Sequence, residues 1–350
     1  MKQILLLLLI FSMGCLKQSE PVLSEKMIYI YPTLDSVYDL ALQNDTLYVA
    51  NGELGFKVFK ISADKKVVMN SLYEGLAFSE EENIINIEHT SEFAFLFFLD
   101  KFNFTYVRPK VSIFDQNFSE MKAQSNCYNY HSKSTILKNN SSTPSILTLN
   151  RKIDQFDENN RNTSIGLSEF EGHFEYGYID KNCSLELLES LSYELSDIDF
   201  ENERLFLSNP NKDIPSIQVY DENIGTFSLA FEDTLLVKPI TIRAYENAYV
   251  VGLDNKAGCY IALLDVNGNL GDSESKFNFA EGYTIRDVHY SNSLLTLSAG
   301  YGGVLVYDWD GESIPTPRAM ISSGYAYTSL VFDHNKIIVG TKNGIEIYEI

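Results

Sequence analysis

Five stretches of this chain repeat one pattern: "VYDLALQNDTLYVANGELGFKVFKI" (37–61), "LSDIDFENERLFLSNPNKDIPSIQVYD" (195–221), "ITIRAYENAYVVGLDNKAGCYIALLD" (240–265), "RDVHYSNSLLTLSAGYGGVLVYDWDG" (286–311) and "YTSLVFDHNKIIVGTKNGIEIYEI" (327–350). Each reads as an alternating strand, an asparagine turn, an apolar strand, a variable loop and a further apolar strand. The turn asparagines are Asn44, Asn202, Asn247, Asn292 and Asn335, and the last four are 45, 45 and 43 residues apart. A period near 40–45 residues with four short strands per unit is the signature of a β-propeller, because one such sheet cannot bury both of its faces without neighbours.

From Asn44 to Asn202 is 158 residues, room for two degenerate copies. Residues 86–115 keep the strands with Ser91-Glu92 at the turn. "YNYHSKSTIL" (128–137) opens the next copy, "HFEYGYID" (173–180) is expected as its third strand, and about 138–172 reads as an insertion carrying a recognition loop, with a disordered excursion or an extra hairpin built around "SILTLNR" as the alternatives. The expected fold is all-β: a seven-bladed β-propeller of four-stranded blades, with repeats starting near 36, 84, 126, 195, 239, 283 and 327. Its last blade has only three strands before Ile350, and "MIYIYPTL" (27–34) is expected to supply the fourth, closing the ring and removing open edges. The even turn spacing argues against the alternative of two all-β domains split near 140–165. Asparagine at the first hairpin is read as a device for positive φ. Asp115, Asp180, Asp221, Asp265 and Asp308 are read as turning the chain into the outer strand.

Residues 1–14 read as a signal peptide: Lys2, an apolar run from Ile4 to Phe11 too short to span a bilayer, then small residues before Cys15. "SMGC" (12–15) resembles the lipobox of bacterial lipoproteins, with Gly14 and Cys15 matching and Ser12 standing where leucine is usual. The resemblance implies that Cys15 carries the lipid anchor, that 15–26 is a tether, and that 27–350 is the propeller. Leu16 after the cysteine points to the outer membrane or cell surface.

At "DLALQNDTLYVANGELGFKVFKIS" and "RDVHYSNSLLTLSAGYGGVLVYDW" the chain resembles the LVIVD-repeat proteins, exported bacterial propellers. Asp39, Tyr48-Val49-Ala50 and Gly55 match in the first copy; Asp287-Val288, Asn292, Gly302-Gly303 and Leu305-Val306-Tyr307-Asp308 match in the sixth. The resemblance spans about 36–350, the second and third copies matching in strand pattern only. It implies fold and export and transfers no catalytic residue.

The formal charge of −21 repels nucleic acid and anionic membrane surfaces and favours cationic ligands or plain solubility, so nucleic acid is not expected as a partner. No HExxH, G-x-S-x-G or phosphate loop is present, so no catalytic residue is named. "DVNGNLGD" (265–272) resembles a calcium loop, but Leu270 stands where glycine is needed and Lys276 where the bidentate Glu belongs, so it reads as a hairpin turn. Cys127, Cys183 and Cys259 are expected to form no intramolecular disulfide, since the strand assignment sets them far apart.

Recognition is expected on the loops between second and third strands, which share one face of the ring. The candidate residues there are Phe102, Phe104, Tyr106, Arg108, Asn211, Lys212, Asp254, Lys256, Tyr301 and Lys342, with the aromatic and arginine side chains as anchors. Asp39, Asp197 and Asp287 share one place in the innermost strand; they are read either as a ring holding Ca²⁺ or another divalent cation, or as acceptors for backbone amides. The function expected is a lipid-anchored cell-envelope propeller that binds or scaffolds an envelope protein or extracellular ligand. The alternative is a propeller enzyme, a hydrolase or lyase with a cation in the central channel.

Overall fold

The structure is a computed structural model. It describes residues 26–32, 36–43, 45–52, 54–61, 70–74, 82–89, 93–102, 106–115, 121–125, 130–138, 145–153, 161–169, 186–191, 195–210, 214–223 and 226–350. Cys15, Phe104, Asn211, Lys212, Cys127 and Cys183, and with them the signal-peptide, anchor and disulfide readings, lie outside the described residues.

An N-terminal strand, β1 (Lys26–Pro32), is followed by β2 (Asp39–Gln43), β3 (Thr46–Ala50), β4 (Phe56–Lys60) and β5 (Asn70–Glu74). Then come β6 (Glu82–His89), β7 (Phe93–Phe102), β8 (Tyr106–Asp115) and β9 (Met121–Ser125), and β10 (Tyr130–Lys138), β11 (Ser145–Ile153), β12 (Arg161–Glu169) and β13 (Glu186–Leu191). The next two groups are β14 (Asp197–Glu201), β15 (Arg204–Asn209), β16 (Ser216–Asn223) and β17 (Thr226–Thr234), then β18 (Pro239–Tyr245), β19 (Ala248–Leu253), β20 (Cys259–Leu263) and β21 (Lys276–Phe279). The last are β22 (Asp287–Ser291), β23 (Leu294–Ser298), β24 (Val304–Asp308) and β25 (Thr316–Ile321), then β26 (Ala326–Asp333), β27 (Lys336–Thr341) and β28 (Gly344–Glu349).

These strands form seven four-stranded antiparallel sheets, six in simple sequence order and one ordered β1-β28-β27-β26. β1 pairs antiparallel with β28, Lys26 opposite Glu349 and Pro32 opposite Gly344, so the first and last strands of the chain share a sheet. The first strands of successive sheets touch in turn, from β2 and β6 onward to β22 and β26, and β26 touches β2.

Alternation within single strands explains how the sheets stack. In β19, Tyr249 and Val251 join Phe206, Ile217 and Val219 of the preceding sheet, whereas Ala248 and Val250 join Leu295, Leu297 and Leu305 of the following one. β19 is therefore buried along its whole length, as a strand covered on both faces must be. Ile337 and Val339 of β27 likewise pack on Val306, while Ile338 packs on Leu47, Val49 and Phe59 of the sheet begun by β2. Outer strands are more open: Leu229 of β17 and Met27 and Ile30 of β1 are exposed.

Three expectations change. The third strand of the sheet begun by β10 is Arg161–Glu169, and its second is Ser145–Ile153; the supposed insertion thus contributes two strands, and 173–180, read as the third strand, lies outside the described residues. Polar sequences such as "RNTSIGLSE" mask the strand pattern. Asparagine adopts positive φ at Asn202 and Asn292, the first residue of their two-residue turns. Asn247 and Asn335 occupy the second place, where negative φ suits an ordinary type I turn. Asp221 lies inside β16, where it pairs with Arg204 at 2.8 Å instead of ending the strand.

The glycine loops are constrained by close backbone approach. Gly303 has φ +75°, and a Cβ there would lie 2.0 Å from the Ile321 carbonyl oxygen; Gly258, the equivalent residue before β20, has φ +81° and would meet the Phe279 carbonyl at 2.2 Å. Gly303→Ala is expected to lower unfolding stability by about 2–3 kcal/mol through strained φ and displacement of β25. Urea denaturation beside Gly282→Ala, where no atom lies within 4 Å, checks this.

Candidate functional site

The carboxylates picked out from the repeat occupy one register position near the start of β2, β14 and β22, and each reaches the next sheet. Asp39 Oδ2 accepts from the Ile87 amide at 2.9 Å. Asp197, fully buried, accepts on Oδ2 from Thr241 Oγ1 (2.7 Å), the Ile242 amide (3.1 Å) and Arg243 Nη1 (3.1 Å). Asp287 accepts from Thr328 Oγ1 at 2.8 Å and from Arg243 Nη2 at 3.3 Å. Of the two sequence readings, that of amide acceptors describes Asp39 and Asp197, whereas Asp287 is met by a hydroxyl and a guanidinium. The three aspartates are not brought together as a cation site, and among the described residues no three His, Cys, Asp or Glu side chains form a metal-sized group.

Arg243 sits between two of these aspartates. Burial favours its neutral form, but the carboxylates of Asp197, Asp287 and Asp199 outweigh this and hold its pKa well above the ordinary value. It links three successive first strands, β14, β18 and β22. Asp199, one turn of the pleat along from Asp197, accepts from the Ala244 amide at 2.7 Å; burial raises its pKa despite Arg243. His289 holds the equivalent place in β22, and burial lowers its pKa from 6.5 to about 4 against the pull of Asp287.

A second polar clasp sits toward the outer strands. Asp233 of β17, buried, accepts from the hydroxyls of Tyr249 and Tyr260 and pairs with Lys276 Nζ at 2.6 Å. It joins two sheets. The turn at 265–269 is a hairpin turn as expected, with Asp265 Oδ1 accepting from the Asn267 and Asn269 amides at 2.8 Å each.

The other group of interest lies where the strands begin. A chain that runs up and down four strands leaves its second-to-third loops and its fourth-to-first connections at the same end of each sheet. Phe102 and Tyr106 close the β7–β8 hairpin at that end, with Arg108 opposite Asp100. Tyr301, 84% exposed in the 299–303 loop, meets Tyr325 edge-on with centroids 4.7 Å apart. Tyr325 meets Tyr327 at 4.7 Å, and Tyr327 meets Tyr38 at 5.1 Å. Arg286 stands 5.8 Å over the Tyr325 ring, and the Lys342 amide donates to the Tyr325 carbonyl at 3.1 Å. Asp254 and Lys256 lie in the 254–258 loop at the same end, the Lys256 amide held by Thr284 Oγ1 at 3.0 Å.

Exposed large apolar side chains collect there too: Tyr38, Leu54, Ile214, Leu236 and Tyr301, with Leu236 fully exposed. The opposite end has Val266 and Ile314. Sequence reading found Tyr301 and Lys342 but missed Tyr38, Leu236, Arg286 and Tyr325, in fourth-to-first connections, and Tyr327, at the start of β26. The direction of the strands, already legible, would have placed them.

No family model matches the sequence, and no curated protein matches it. Among solved structures the chain resembles the computationally designed Ika8 protein, at TM-score 0.58 and 10% identity over 93% of this chain and 100% of that one. It also resembles a chain of the mitotic checkpoint complex, at TM-score 0.65 and 11% identity over 96% and 98%. At such identities the likeness is one of fold: all-β and propeller-like.

Two outcomes follow from the first-strand network. Asp197→Asn leaves the Arg243 guanidinium with weakened compensation and is expected to cost about 3 kcal/mol of stability, measured by chemical denaturation. Between pH 6.5 and about 4 the unfolded chain takes up a proton at His289 that the folded chain refuses, so stability falls as pH falls through that window. His289→Gln should flatten this part of the stability–pH curve, and an unchanged slope would count against it.

Proposed function

We propose that this chain is a lipid-anchored binding module of the bacterial cell envelope, a seven-bladed propeller closed by its N-terminal strand and meeting its ligand with the face that carries the second-to-third loops. The observation that carries the binding reading is the gathering of exposed apolar and aromatic side chains at that face, with the tyrosine run from Tyr38 to Tyr301 at its centre. Soluble surfaces seldom leave such groups together unless something covers them. Closure of the ring is supported by the β1–β28 pairing, by the contact of β26 with β2 and by the core that joins Ile338, Ile345 and Ile347 to Leu47, Val49 and Phe59. Anchoring rests on the lipobox-like "SMGC" ending at Cys15. No observation favours the enzyme reading, since the aspartates it would use are engaged between sheets.

Two measurements test this. Growth with an alkyne-tagged palmitate should label the wild type and leave Cys15→Ser unlabelled; no label in the wild type removes the anchor. A photo-crosslinking amino acid in place of Tyr301 should trap an envelope component in living cells, and the same group in place of Val266 should trap none. Equal yields at the two positions would remove the recognition face.

A further inference from the structure

The strand that completes the sheet of β26–β28 is also the one that leads back to Cys15. β1 enters that sheet at Lys26, beside Glu349, and ends at Pro32, beside Gly344. Gly344 follows the second-to-third loop at 342–343, so Pro32 lies at the recognition face and Lys26 at the opposite end. A tether running back from Lys26 to an anchor at Cys15 therefore leaves the ring at the end away from the ligand, and the seven residues of β1 lie between the two.

From this we propose that β1 is a load-bearing clamp: when a ligand held on the recognition face pulls against the membrane anchor, the tension runs along β1 and is carried in shear by its pairing with β28. The proposal rests on the anchored-module reading and adds to it how the ring bears its load. Hydrogen bonds of an antiparallel pair lie across the strands. Force along β1 meets all six pairs of the ladder at once, whereas force that draws Lys26 sideways from Glu349 opens them one at a time.

Packing opposes the same movement. Ile28 and Tyr31 sit on the core that contains Phe59, Ile345 and Ile347. Tyr31 meets the Phe59 ring edge-on with centroids 4.8 Å apart, and Lys57 Nζ stands 5.8 Å over the Tyr31 ring. β1 is thus held by two sheets, its own and the one begun by β2. A slip of one residue along β28 would take Tyr31 from the core side and carry Ile30, which is exposed, toward it. Sliding must break this packing together with the ladder, whereas peeling from Lys26 reaches Tyr31 only after four of the six pairs have opened. Forced rupture reads the barrier to release, so the two directions differ although the bonds broken are the same.

Single-molecule pulling on the mature protein in two geometries tests the clamp. One handle is a clickable amino acid in place of Ser19; the second replaces either Tyr301, at the recognition face, or His334, exposed in the turn joining β26 and β27. Loading from 19 to 301 shears the ladder, and loading from 19 to 334, two points at one end of the same sheet, peels it. Rupture should need severalfold more force in the first geometry than in the second, a comparison that requires only the wild-type ring. Tyr31→Ala should lower the shear force and leave the peeling force unchanged. Equal forces in the two geometries, or a shear force unmoved by Tyr31→Ala, would overturn the clamp, and they would do so whether or not Cys15 is labelled by palmitate. A chain that takes up no palmitate loses the load, and the proposal with it, even where the two forces differ.

Discussion

Burial of both faces of each inner strand is the constraint on which everything else here depends. β19, β23 and β27 carry apolar side chains on alternate residues toward two different neighbours, so a single sheet exposes an apolar face whichever way it is turned. Only continued stacking of neighbouring sheets relieves this. Sharing the last sheet between β1 and β26–β28 then ties the two ends of the chain together by backbone hydrogen bonds. An apolar interface is indifferent to small rotations, however, and does not by itself fix how one sheet meets the next.

Directional bonds supply that. The aspartates at the start of β2, β14 and β22 each receive a donor from the following first strand, and Arg243 adds a charge-assisted link across two junctions. Farther out, Asp233 draws Tyr249, Tyr260 and Lys276 to one carboxylate. Apolar packing supplies most of the stability, and these bonds select one geometry for it. The same repeated acid thus has a structural cause at every occurrence, and repetition of an acid around a scaffold is poor evidence for a metal.

Much of this was legible from residue patterns. The spacing of Asn202, Asn247, Asn292 and Asn335 gave the sheets of the C-terminal half and their hairpins, because a two-residue turn between apolar strands leaves few alternatives. The orphan 27–34 was recognisable because a three-stranded last repeat requires a partner. What failed has a physical explanation. The strands at 145–153 and 161–169 are rich in Ser, Thr, Asn and Arg, so their backbone pairing leaves little trace in apolar periodicity. Arg243 was hidden because its role depends on residues 44–46 positions away on other sheets. The tyrosine run was missed because its members come from 38, 301, 325 and 327, and only strand direction joins them.

Strand direction also decides where on such a scaffold each charge is felt. Sequence sums Asp310 and Arg286 into one number, but a chain that alternates direction sorts its connections to two ends, and each end meets the solvent or a partner separately. With a Debye length of about 8 Å at physiological salt, a surface some 20 Å from the acidic turns feels mainly its own charges. Because the inner strands bear the demands of packing, the connections at the two ends are free to diverge.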